Sequence, residues 1–220
     1  MDQENRKTAL VTGASRGLGA AMAEALGANG YHVIAVARTT GALEELDDRI
    51  RAAGSQSATL APMDVNEAPA MMQLAAAIAE RWGGLNLWVH TAIHAAPLSP
   101  AGHVDAKDWA KSFATNATAT QNLIGLIEPL LQSRKGVAVI PDDKRAGQRF
   151  FSAYGASKAA QMAVAKSWQA ESERLGPKVL LPEPAPMPTA TRARFFPGED
   201  RNPLSPCKTE AEKIIALISG

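Results

Sequence analysis

Residues 12–19 read Thr-Gly-Ala-Ser-Arg-Gly-Leu-Gly, set between an apolar run at 7–12 and a stretch whose Leu18, Met22, Ala25 and Leu26 fall on one helical face. A strand that turns through glycines into a helix lets the backbone come close to a bound anion. The start of that helix also offers unbonded N–H groups and the positive end of the helix dipole. This feature limits what the rest of the chain can be, because a strand–turn–helix of this kind needs a neighbouring parallel strand to rest on.

The chain supplies such strands. Short runs rich in apolar and β-branched residues occur at 31–37, 57–61, 85–92, 136–140 and 178–181. Helical stretches lie between or after them at 41–53, 67–82, 105–131 (one long helix or two abutting ones), 152–175 and 209–218. Strands separated by helices imply βαβ units. The expected fold is α/β, a Rossmann-type doubly wound parallel sheet of six strands with helices on both faces. No linker or internal repeat divides the sequence, so residues 1–220 are expected to form one dinucleotide-binding domain. One segment breaks the pattern. Residues 181–206 are dense in proline and are expected to form a lid or to lack order.

Composition excludes several classes of function. A formal net charge of +1 gives no bulk field for nucleic acid or for a membrane surface. No apolar run approaches the ~20 residues that span a bilayer. Residues 1–7 are polar and charged, unlike a secretory leader. Cys207 is the only cysteine, so no internal disulfide can form, which fits a reducing compartment. A cytoplasmic protein is expected.

Further motifs follow the glycine turn in order. Asp64-Val65 follows the third strand, and His90-Thr91-Ala92-Ile93 ends the fourth. Asn116 lies in a helical stretch. Tyr154 and Lys158 stand in a YxxxK pattern, and 184–189 read Pro-Ala-Pro-Met-Pro-Thr. Across nearly the whole chain this set resembles the short-chain dehydrogenase/reductase family. The resemblance implies a nicotinamide dinucleotide held by Gly13, Ser15, Arg16, Gly17, Leu18, Gly19, Asp64, Val65, Ala92, Lys158 and Thr189, and hydride exchange with a small carbonyl or alcohol substrate. It makes Tyr154 the group that exchanges a proton with the substrate oxygen. Lys158, four residues on along the helix, would bind the nicotinamide ribose and draw the Tyr154 pKa toward neutral. Asn116 would hold a water linked to Lys158.

Arg38 decides the expected cofactor. An acidic residue ending the second strand binds the 2′-hydroxyl of NAD, but here that strand runs into Ala37-Arg38-Thr39. Arg38, with Arg16, suits a 2′-phosphate, so NADP(H) is expected over NAD(H).

The chain also departs from the family pattern. The family places a carbonyl-polarising Ser about thirteen residues before the Tyr, which lands here on Pro141-Asp142. No Ser or Thr occurs from 137 to 151. Asp142 or Asp143 could occupy the place, where a carboxylate would oppose a developing alkoxide. Ile93 replaces a glycine where the backbone passes the cofactor. The family's seventh strand has no counterpart before the sequence ends. Two functions follow from this pattern: an NADP(H)-dependent oxidoreductase, or a non-catalytic member that binds a dinucleotide or a partner. His32, His90, His94 and His103 show no metal-ligand spacing, so no metal is expected. A homodimer through 116–131 and 152–175 is expected from the resemblance. Those helices carry the small residues Ala117, Ala119, Gly125, Ala159, Ala160 and Ala163.

Overall fold

The computed structural model describes residues 7–219. The polar stretch at 1–7 therefore lies outside the described residues up to Arg6. Six strands, β1 (Thr8–Thr12), β2 (His32–Ala37), β3 (Thr59–Pro62), β4 (Leu87–His90), β5 (Val137–Val139) and β6 (Lys178–Leu180), form one sheet in the order β3-β2-β1-β4-β5-β6. All five pairings are parallel. The helices are α1 (Gly17–Ala28), α2 (Thr40–Ala52), α3 (Ala68–Trp82), α4 (Ala106–Ser112), α5 (Ala119–Arg134), α6 (Ser152–Ser172), α7 (Ala190–Phe195) and α8 (Cys207–Ser219).

Alternation along the strands sorts the core into two layers. Ala9 and Val11 of β1, with Val33, Ala35, Leu87 and Val89, pack against Met22 of α1, Leu43 of α2 and Ile214 of α8. Leu10 of β1, with Ile34, Val36 and Trp88, packs against Ile78 of α3, Ile127 of α5 and Ala165 of α6. Helices therefore cover both faces, as a sheet of buried parallel strands requires.

The structure corrects one expectation and decides between the alternatives of two others. The third strand begins at Thr59, not Ser57. The Ser57 hydroxyl and the Ala58 N–H are both taken by the Asp47 carboxylate of α2, at 3.0 and 2.6 Å. The helical stretch at 105–131 is divided by a π-helical insertion, Phe113–Thr118, in which Asn116 sits. The proline-dense stretch is folded. It contains α7, and buried Glu210 of α8 pins it by accepting from Ala185 N at 2.9 Å and from the Ser205 hydroxyl at 2.7 Å. No helix among the described residues is long and apolar enough to cross a membrane.

Candidate active site

In a parallel sheet of this order, the crevice lies beyond the carboxyl ends of β1 and β4, where the strand order reverses. A cleft of ≈ 550 Å³ opens at that edge. Thirteen of the fourteen residues singled out from the sequence line it, and only Asn116 does not.

One half of the cleft is made mainly of backbone. Gly13 takes φ +90°, and a Cβ there would stand 2.5 Å from the Ala92 backbone nitrogen. Only glycine permits that approach. Gly13 N and Ala14 N both donate to Val36 O, which ties the turn to β2. The Thr91 hydroxyl ties it to β4 by donating to Thr12 O at 3.0 Å. Arg16 is the N-cap of α1, with no side-chain cap and no acid in the first turn. The first N–H groups of α1 therefore have no protein side chain to accept from them. Ser15, Arg16, Leu18 and Gly19 complete this wall, and Gly17 faces the Thr189 methyl across the cleft. Arg38 stands at the end of β2 with a 73% exposed side chain, 3.7 Å from the Asp64 carboxylate. Asp64 in turn accepts from Asn66 N at 3.0 Å, and Val65 and Ala92 line the floor.

The other half is made of side chains. Tyr154 and Lys158 lie in the first two turns of α6, both buried. The Tyr154 hydroxyl donates to Asp143 Oδ2 at 3.0 Å, and Arg145 Nε holds Asp143 Oδ1 at 3.0 Å. The Arg145 guanidinium lies over the rings of Phe151 and Phe196, at 5.6 and 5.4 Å. The loop carrying these residues crosses α6 at Gly155, where a Cβ would stand 2.7 Å from Arg145 O. Asp143, not the Pro141-Asp142 pair reached by counting, thus occupies the place beside the tyrosine. Asp142 also lines the cleft, its N–H bound to Pro182 O at 2.8 Å, but makes no hydrogen bond to Tyr154.

This arrangement overturns the expected effect of Lys158 on Tyr154. Burial pushes the phenol well above its ordinary range. The Asp143 charge and hydrogen bond and the Asp142 charge add to that rise, while Arg145 opposes it. The Lys158 ammonium is directed to Pro141 O and Gln161 Oε1, each at 2.5 Å. Burial lowers its own pKa to about 8, against the pull of Asp142 and Asp143.

Asn116 is fully buried behind the cleft wall. Its Oδ1 accepts from His94 N at 2.7 Å, and its Nδ2 donates to His94 O and Ser157 Oγ at 3.0 and 2.9 Å. The amide clamps the chain that leaves β4 and makes no bond to Lys158. A different chain of groups reaches Lys158. The Gln161 amide donates to the Thr120 hydroxyl at 2.8 Å, and that hydroxyl donates to Asn116 O at 2.8 Å. His90 Nε2 lies 2.9 Å from the same oxygen and Nδ1 lies 2.8 Å from Thr12 Oγ1. With the Thr120 proton on Asn116 O, His90 donates through Nε2, and Nδ1 accepts from the Thr12 hydroxyl, which lies nearer to it than to its other acceptor, Val89 O, at 3.3 Å. The imidazole is neutral, with its pKa pushed down to about 3 by burial and then by Lys158. The sequence held a signal for Gln161, which lies three residues after Lys158 on one helix. Thr120 gave none, since only the folded chain brings it here. Among the described residues no group of three or more His, Cys, Asp or Glu could hold a metal.

The family model for short chain dehydrogenases matches residues 7–200. The chain belongs to that family. An uncharacterized oxidoreductase of Mycobacterium tuberculosis is 34% identical over 158 residues, 70% of this chain and 59% of that protein. An NADP-dependent 3-hydroxy acid dehydrogenase of Salmonella typhi is 28% identical over 153 residues, 68% of this chain and 60% of that one. The match thus spans less than two thirds of these curated family members. A solved short chain dehydrogenase from Escherichia coli CFT073, complexed with NADPH, is 26% identical with a TM-score of 0.89. That likeness covers 100% of this chain and 94% of the other.

Proposed function

We propose that this family member is an NADP(H)-dependent oxidoreductase acting on a carbonyl or its alcohol. The observation that carries the reading is one cleft lined by the glycine turn, Arg38, Tyr154 and Lys158 together. The lining fits a dinucleotide. The close approach at Gly13 leaves no room for a side chain, and the uncapped start of α1 suits a pyrophosphate. Arg38 in place of an acid suits a 2′-phosphate. The Escherichia coli neighbour's NADPH complex supports the same cofactor. Such a cofactor, when bound, supplies or accepts the hydride.

The chain's own residues would do the rest. Gly13, Ser15, Arg16, Gly17, Leu18 and Gly19 would bind the phosphates, with Asp64, Val65, Ala92 and Thr189 around the adenosine and nicotinamide parts. Lys158 would orient the ribose with the ammonium donor its two protein bonds leave over. Tyr154 would give the substrate oxygen its proton. Asn116 would fix the wall at His94.

NADPH fluorescence should change on titration with micromolar protein, and NADPH should be consumed with a carbonyl panel. Tyr154→Phe should keep the binding and lose the turnover. Unchanged NADPH fluorescence would overturn the reading. A second reading, dinucleotide binding without turnover, draws on the Tyr154–Asp143 bond, which occupies the proton donor; binding without consumption of NADPH would favour it.

The chain is further proposed to form a homodimer through α5 and α6. A groove of ≈ 240 Å³ between them is lined by Ile124, Gly125, Val164 and Trp168. Gly125 is exposed there and Ala159 and Ala163 are exposed elsewhere on α6, whereas Ala119 is buried in the core and contributes nothing to that face. Light scattering at micromolar concentration should give twice the chain mass, and a monomer would refute the dimer.

A further inference from the structure

We propose that the double bond this cleft reduces in preference is C=N, in an apolar imine held as its iminium, with Asp143 as the residue that selects it. The proposal rests on the hydride-transfer reading above and places a C=N bond ahead of the carbonyl as the substrate.

The argument starts from charge. Hydride addition to a ketone places negative charge on oxygen. A family site meets that charge with a hydroxyl, and none occurs from 137 to 151 in this chain. Its place beside Tyr154 is held by the Asp143 carboxylate, at 3.0 Å from the phenol oxygen. Arg145 Nε holds the far oxygen, Oδ1, and its guanidinium lies over the Phe151 and Phe196 rings. Asp142, whose Oδ1 accepts from Asp143 N at 2.7 Å, also lines the cleft. A growing alkoxide would meet these carboxylates and be disfavoured.

For a C=N substrate the same charges act the other way. A neighbouring carboxylate favours the protonated form of a basic nitrogen, so more of the bound imine is iminium at neutral pH. The iminium is the far better hydride acceptor. Its carbon gains a hydride from the reduced dinucleotide, the π pair moves onto nitrogen, and amine plus oxidised dinucleotide result. No further proton is needed, so the reaction does not depend on a free tyrosine proton. Tyr154, held in its neutral form by burial and by Asp143, has no need to ionise. The rings that face the cleft, Phe195 at 4.8 Å from Tyr154 and Phe196 beyond, suit an apolar carbon frame.

The test uses a matched bicyclic pair, 3,4-dihydroisoquinoline and 2-tetralone, with saturating NADPH. The imine should show kcat/KM at least about tenfold above the ketone, and Asp143→Asn should lower imine reduction by about tenfold or more without lowering ketone reduction. A second readout needs no turnover. Tetrahydroisoquinoline should bind the NADP-loaded protein about tenfold more tightly than 2-tetralol, and Asp143→Asn should erase the difference. NADPH binding with the ketone reduced as well as the imine, with neither reduced, or with no preference for the amine, would overturn the substrate assignment alone. Failure to bind NADPH would instead overturn the hydride-transfer reading and this proposal with it. If Asp143→Asn does not fold, the wild-type pair decides by itself, and Asp142→Asn should show a smaller loss of the same sign.

Discussion

The two halves of the cleft are built from different materials. On the β1–β2 side the wall is backbone. Gly13 bonds to Val36 O, and the first turn of α1 presents N–H groups that no side chain caps. On the β4–β5 side the wall is side chains: His90, Ile93, Asp143 and Tyr154. Backbone geometry restricts the sequence severely, because few residues accept φ +90° against a neighbouring strand. Side-chain identity can change while the sheet stays the same. The parallel direction of the strands is the same on both sides, so the difference between the halves lies in what lines them.

The largest expected effect lies behind the side-chain half. His90 is buried and neutral between Thr12 of β1 and Thr120 of α5, with Trp88 and Lys158 nearby. Its pKa falls from 6.5 unfolded to about 3 folded. Between those values the unfolded chain binds the extra proton and the folded chain does not. Stability is therefore retained above pH 6.5 and lost as pH falls toward 3, by on the order of 5 kcal/mol over the full window. Denaturant melts at pH 7 and pH 4.5 should show a steeper acid loss for wild type than for His90→Asn. Parallel losses would mean that the two halves do not differ in acid sensitivity through this residue.

A change of one to three orders of magnitude in rate is expected at Asp143. Asp143→Ser removes a carboxylate from the Tyr154 hydroxyl and restores a hydroxyl donor. Turnover of simple ketones should rise by roughly 10- to 1000-fold, the usual worth of one oxyanion donor. NADPH affinity should stay the same, because the change lies wholly in the side-chain half. A rise in ketone turnover accompanied by altered NADPH affinity would break the separation between the halves.

The same contrast explains what could be read from the sequence. The strands and the glycine turn depend on local period and local backbone, so they were legible at 7–12, 31–37 and 12–19, and the alternation of strands with helices made their parallel direction legible too. The start of β3 was not, because Asp47 takes the Ser57 hydroxyl and Ala58 N–H from another element. Nor was the order of 181–206, which depends on Glu210 folding back from α8. The motif residues were legible as a set, but not their bonds. The Tyr154–Lys158 spacing predicted a lowered phenol pKa. The fold instead turns Lys158 to Pro141 and Gln161 and gives Tyr154 to Asp143.

The smallest effect tests the backbone half at its one charged edge. Arg38 and Asp64 stand 3.7 Å apart with the arginine side chain 73% exposed, and an ion pair of that kind contributes at most about 1 kcal/mol. Arg38 can therefore leave Asp64 for a better partner at little cost. A 2′-phosphate offers its guanidinium charge-assisted bonds worth about 1.5–3 kcal/mol, before screening. NADPH should accordingly bind roughly tenfold or more tightly than NADH, and the margin should shrink as salt rises, because the contact is open to solvent. Arg38→Asp removes the guanidinium and supplies an acceptor for a ribose 2′-hydroxyl, so it should erase or reverse the preference. Asp64 lies close enough to repel the new carboxylate, which makes loss of the preference a surer outcome than full reversal. Fluorescence titrations with both cofactors measure the ratio directly. Equal affinities in the wild type at physiological salt would show that Arg38 only solvates this edge.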